Sequence, residues 1–176
     1  MRRFFVVALL TMTSAAVARA QAPAPQPGKE YQRLDYLVGT WKGGGDMYGT
    51  ALSAVGKFAA TITCTRFSGG FHVVCNVDGM MSGEPYREMA VFGYDPEAKQ
   101  YTWYDIDSTG MNAFCSGSVQ GPTWTFVFDV KSGGKPAKLR VLITELSPTS
   151  FENRAEVSLG GGPWALMQLV KMSKLN

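Results

Sequence analysis

Histidine is nearly missing from this chain, with His72 alone in 176 residues. Cysteine is scarce as well: Cys64, Cys75 and Cys115, with no Cys-x-x-Cys pair and no Cys/His set. That removes the usual zinc arrangements. His72 has no evident Ser or Asp partner, and there is no Gly-x-Ser-x-Gly elbow, so nucleophilic hydrolysis finds no footing. Phosphate loops and dinucleotide fingerprints are also lacking. No catalytic residue, metal ligand or cofactor is therefore assigned. Beyond the first 20 residues no apolar run is long enough to cross a bilayer.

An excess of one charge is lacking too, once the N-terminus is set apart. MRRFFVVALLTMTSAAVARA has two arginines, an apolar run from Phe4 to Leu10 and an Ala18-Arg19-Ala20 cleavage site. It reads as a secretory leader over residues 1–20, cut after Ala20, which predicts a periplasmic or secreted protein. The chain has 17 Lys+Arg and 14 Asp+Glu. Three arginines and no acid leave with the leader, so the processed chain is close to neutral. The basic character belongs to export and gives no reason to expect nucleic acid or anionic membrane as a partner. Residues 21–29 open QAPAPQPG and read as a Pro-rich, extended tether. Residues 30–176 suffice for one domain with a core.

What the chain does have is strand upon strand. Ten short segments, about 39–47, 55–67, 71–82, 86–94, 100–108, 112–119, 123–131, 138–146, 150–159 and 163–173, are separated by Gly, Pro, Asn or Asp. Only Glu30 to Val38 reads as helix, with Tyr31, Leu34 and Val38 on one face. Late segments alternate clearly: Trp124, Phe126, Phe128 and Val130 lie on one side, with Thr123, Thr125 and Asp129 on the other. Leu139, Val141 and Ile143 oppose Lys138, Arg140 and Thr144. Such half-buried strands with short connections predict an all-β, up-and-down antiparallel barrel of about ten strands, closed so that no edge is exposed. All 20 glycines lie beyond the leader, roughly twice the usual share, as bends and tight turns require. Ten strands leave more interior than eight, whose side chains fill the space.

The run Leu37-Val38-Gly39-Thr40-Trp41-Lys42-Gly43-Gly44-Gly45 takes a short helix into a Gly-x-Trp first strand. It resembles the lipocalin-like (calycin) proteins. Its longer form, Gly39-x-Trp41-x-Gly43-x-Gly45, also resembles the nitrobindin signature. With Phe92-Gly93-Tyr94-Asp95 and Tyr101-x-Trp103, the chain is similar over about residues 31–174 to a secreted lipocalin-like bacterial family of unknown function. The resemblance implies a barrel that holds a small hydrophobic ligand. It also implies that Trp41 closes the base under a basic side chain from a late strand, for which Arg154 is the candidate. Nitrobindin-like haem binding is not implied, because the last segment has no histidine. Alternation places His72 on the surface beside a turn, opposite Val73, Cys75 and Val77. Candidate lumen residues are Trp41, Phe58, Ile62, Tyr104, Phe126, Phe128, Val141 and Phe151.

A turn centred on Gly69-Gly70 sets Cys64 opposite Cys75, each five residues from the nearer glycine. In an oxidising compartment that pair makes a cross-strand disulfide, and two reduced, buried thiols are the alternative. The stretch Asp105-x-Asp107-x-Thr109-Gly110 opens like a calcium loop. Ser116 stands where a bidentate Glu is needed, and the flanks are strands, so an EF-hand is rejected. A hairpin through residues 95–100 sets Ala90 opposite Asp105 and Glu88 opposite Asp107. Glu88, Asp105 and Asp107 then share a face with Phe92 and Trp103, while Met89, Val91, Tyr104 and Ile106 share the other. The favoured expectation turns the acids out to water; the other makes them a polar patch in the lumen. Function is thus expected to be ligand binding, or else an envelope structural or protein-interaction role without a ligand, and not enzymatic. The oligomeric state is not encoded in any pattern found.

Overall fold

The computed structural model describes residues 25–67 and 69–175; the expected leader and the first part of the tether lie outside the described residues. The chain enters through one α-helical turn, α1 (Lys29–Gln32), continued by a 3-10 turn (Arg33–Tyr36). Ten strands follow: β1 (Gly39–Met47), β2 (Gly56–Arg66), β3 (Val73–Met81), β4 (Glu84–Asp95), β5 (Gln100–Asp107), β6 (Asn112–Gln120), β7 (Thr123–Ser132), β8 (Lys135–Ser147), β9 (Ser150–Leu159) and β10 (Ala165–Lys174). Each pairs antiparallel with its sequence neighbours, and β1 pairs with β10, so the sheet is a closed barrel. The expected ten-stranded, up-and-down barrel with a short N-terminal helix is what the chain forms. The helical segment stops at Tyr36, two residues short of the expected Val38.

Closure depends on β1. Its Gly43-Gly44-Gly45 run lies between β10 and β2 and approaches both closely. A Cβ on Gly43 would lie 2.0 Å from the Lys171 carbonyl oxygen, and one on Gly45 2.0 Å from that of Leu169. Only a residue without Cβ allows the strand to bend into the gap there.

One end of the barrel is plugged. Leu34 and Trp41 are fully buried there, and the Trp41 indole N–H donates to the Leu37 carbonyl at 2.8 Å. Glu145 accepts from the Trp124 indole N–H at 2.6 Å and from the Arg33 guanidinium. Arg66, at the end of β2, donates to Asp35 at 2.5 Å and to the Tyr31 carbonyl at 3.0 Å, tying the helical turns to the wall. The cation over Trp41 is Lys174, with Nζ 4.6 Å from the ring centroid. Arg154, the expected partner, instead faces outward and pairs with Glu156 at 2.8 Å. The reason is register: Trp41 and Lys174 are directly paired residues of β1 and β10.

The outer wall carries directly opposed ion pairs, Asp46 with Lys57, Asp78 with Arg87 and Asp129 with Lys138. Exposed pairs of this kind contribute little stability but keep the wall wet. Between β6 and β7 the ladder is short, joining only Gly117–Gln120 to Thr123–Phe126. The stretch of β6 before Gly117 and that of β7 after Phe126 are not paired with each other, which leaves the wall thinnest there, toward the unplugged end.

Candidate functional site

Opposite the plug, the barrel opens into a lumen of about 900 Å³. That is at the upper end of the range typical for small-molecule sites. Phe58 and Ile62 on β2, Val141 on β8 and Phe151 on β9 line it, four of the residues expected to do so. Trp41 lies deeper and borders a separate space of about 60 Å³ near the plug. Phe126 and Phe128 are completely buried but stand behind the lining, where Trp103 packs edge-on against both rings with centroids 5.2 Å away.

Tyr104 is on the outside. It is 39% exposed, and its hydroxyl donates to Asn112 Oδ1 at 2.9 Å. This corrects the expected inward placement, and the cause is the phase of two strands. Phe92 on β4 and Trp103 on β5 are paired residues whose rings meet inside the barrel, with centroids 4.8 Å apart. Alternation then sends Tyr104 and Ile106 outward and Asp105 and Asp107 inward. The favoured expectation of a solvated acid face is therefore wrong: Glu88, Asp105 and Asp107 all line the lumen. The register itself matches expectation, with Glu88 opposite Asp107 and Ala90 opposite Asp105.

The three carboxyl groups differ in what satisfies them. Asp107 is the turn-former: its Oδ1 accepts from the Thr109 amide at 2.8 Å, the Thr109 hydroxyl at 2.6 Å and the Met111 amide at 3.0 Å. That is the structural use of the calcium-like stretch. Among the described residues no set of three or more His, Cys, Asp or Glu side chains is arranged to hold a metal ion. Glu88 accepts the Tyr86 hydroxyl at 2.8 Å. Asp105 is 3% exposed, and its Oδ1 has no partner. Burial, then the Glu88 and Asp107 charges, push the Asp105 carboxyl up to about 8. Burial and the Asp107 charge push Glu88 up to about 7, against the pull of the Tyr86 hydroxyl. Tyr86 itself is raised by burial and by its acidic neighbours, so it acts as a donor throughout the physiological range.

Two further unpartnered atoms belong to residues of the lumen wall, the Trp103 indole Nε1 and Asn153 Oδ1. Five methionines, Met47, Met81, Met111, Met167 and Met172, also line it. None was expected from alternation alone, because Met is not a strong strand former. Their supply in the sequence was the available signal, since flexible thioethers suit a surface that adapts to its contents. The sulfurs of Cys64 and Cys75, paired across β2 and β3, are bonded to each other at the plugged end of the wall. Cys115 is free and buried, and burial pushes its thiol up to about 12. His72 is exposed at the β2–β3 turn.

Comparison with solved structures places the barrel among known folds. The crystal structure of Rv2717c from M. tuberculosis superposes with a TM-score of 0.61 at 12% identity, covering 85% of this chain and 99% of that one. The S-type phycobiliprotein lyase CPES from Guillardia theta superposes with a TM-score of 0.52 at 14% identity, covering 86% and 99%. At such identities the likeness is one of fold. No curated protein matches the chain. A family model does match, over residues 26–171, and by that match the chain belongs to DUF1579, a family described as protein of unknown function.

Proposed function

We propose that this protein is an exported carrier that holds a small hydrophobic molecule in its lumen and does not transform it. The observation behind the reading is the lumen itself, about 900 Å³ behind a plugged base and lined by aromatic, aliphatic and methionine side chains. Export is supported by the leader-like N-terminus and by the Cys64–Cys75 bond, which needs an oxidising compartment. The likeness to a protein named as a lyase keeps catalysis in view, as do two carboxyl groups poised near neutral pH. Against turnover stand a thiol held protonated and a histidine on the far side of the wall.

A second reading, docking to another envelope protein, has one observation in its favour. Val74, Val91, Tyr104 and Phe114 form a single cross-strand row on the outside of β3 to β6, and Phe114 is 62% exposed.

The test is to export the protein in a bacterial host, purify it without detergent and extract it for mass spectrometry. Displacement of an apolar fluorophore is followed in parallel. A co-purifying apolar compound, or saturable displacement that Phe58→Asp or Val141→Asp abolishes, supports the carrier. An empty lumen that takes up no probe overturns it and favours docking.

A further inference from the structure

The lumen is apolar over most of its wall, yet one sector is acidic and short of counter-charge. Among the described residues lining it, Lys131 at the mouth is the only Lys, Arg or His, against Glu88, Asp105, Asp107 and Asp129. Asp129 points its carboxylate at Lys138 on the outside. Asp107 is spent on its turn, and Glu88 on Tyr86. Asp105 is left with a buried oxygen that nothing in the protein meets. An ionised carboxylate in such a place is costly unless a positive group joins it, and a neutral one needs an acceptor for its proton. Nearby aromatic area is ample, with Trp103 two residues before Asp105 on the same inward face, and a cation gains from it as well.

Building on the carrier reading, we propose that the ligand is an amine: a molecule with an apolar body and one protonated nitrogen, the ammonium seated at Asp105 and flanked by Glu88, the body lying against Phe58, Val141 and Phe151. An ammonium brings up to three donors and a full positive charge, which matches an orphaned acceptor among carboxylates. A carboxylate-bearing ligand such as a fatty acid is disfavoured by the same wall. The unpartnered Trp103 N–H and Asn153 oxygen leave a donor and an acceptor for a second polar group on the ligand. Besides burial, the groups that raise Asp105 are Glu88 from β4 and Asp107 from its own strand; Asp105 in turn raises Tyr86 on β4 and Cys115 on β6.

Three probes of equal chain length decide the matter: decylamine, decan-1-ol and decanoate, titrated by calorimetry at about pH 8.5, where the amine is still charged and Asp105 is largely ionised. The amine is expected to bind at least about tenfold more tightly than the alcohol, and decanoate least tightly. In Asp105→Asn the amine should lose that advantage, while affinity for the alcohol stays within about twofold. Glu88→Gln, with its hydrogen bond to Tyr86 retained, should lose part of it and guards against a folding defect in the first variant. Equal binding of amine and alcohol to the wild type, or a preference for decanoate, overturns the amine while leaving the carrier standing. If none of the three binds, the carrier reading falls and takes this proposal with it.

Discussion

A carboxyl group that is 3% exposed and keeps its proton to about pH 8 makes the stability of the empty barrel depend on pH. In the unfolded chain Asp105 and Glu88 ionise near their ordinary values of 3.8 and 4.5; folded, they ionise near 8 and 7. Between those limits the folded protein binds more protons at these two groups than the unfolded one, so their contribution to stability is full below about pH 4 and is lost as pH rises through the folded values. Ligand-free protein should therefore melt higher at about pH 5 than at pH 8.5. Asp105→Asn should exceed the wild type at the higher pH and match it at the lower. A flat melting profile from pH 5 to 8.5 would contradict this. The cysteines make a separate prediction. Unfolded, unreduced protein should titrate one thiol, Cys115, whereas three would mean that Cys64 and Cys75 are not joined. Native protein should resist alkylation, because that thiol is buried and protonated.

Among the elements, β1 is the least tolerant of change. Gly45→Ala would drive a methyl group into the Leu169 carbonyl and pry β1 from β10, at a cost of about 2–4 kcal/mol by urea denaturation. A loss under about 0.5 kcal/mol would show that the strand relaxes without harm. The plug is the second sensitive element. Glu145→Ala leaves the Trp124 N–H and Arg33 without their shared acceptor, and a loss of about 2–3 kcal/mol is expected. The elements were also where the sequence was most legible. Alternation along β7, β8 and β9 exposes the dry face directly, because one side is mostly polar (Thr123, Thr125 and Asp129; Lys138, Arg140 and Thr144; Glu152, Arg154, Glu156 and Ser158) where the other carries Phe, Leu, Ile or Val. Along β4 and β5 it does not. Met89, Val91, Tyr104 and Ile106 make one face apolar, and Phe92 and Trp103 give the other face the larger rings. With acids on the ring-bearing side, polarity and size point opposite ways, and size prevailed because the Phe92–Trp103 pair fills the interior. Lys174 was missed for another reason. Hairpins set the register between sequential strands, but no turn joins β1 to β10, so the residue over Trp41 could not be counted off.

At the scale of the whole molecule, closure was legible from strand number and connection length, whereas the size of the lumen was not. Volume depends on how far side chains such as Phe126 and Phe128 retreat behind their neighbours, and that is a property of packing rather than of pattern. The plug built by Leu34, Trp41, Arg33 and Glu145 has a kinetic consequence. On the carrier reading, a chamber closed at its base is emptied before it is refilled: a newcomer cannot push the resident out through the back. Exchange should then proceed at the resident's own departure rate, however concentrated the competitor, and stopped-flow displacement at rising competitor concentration should reach a plateau set by that rate.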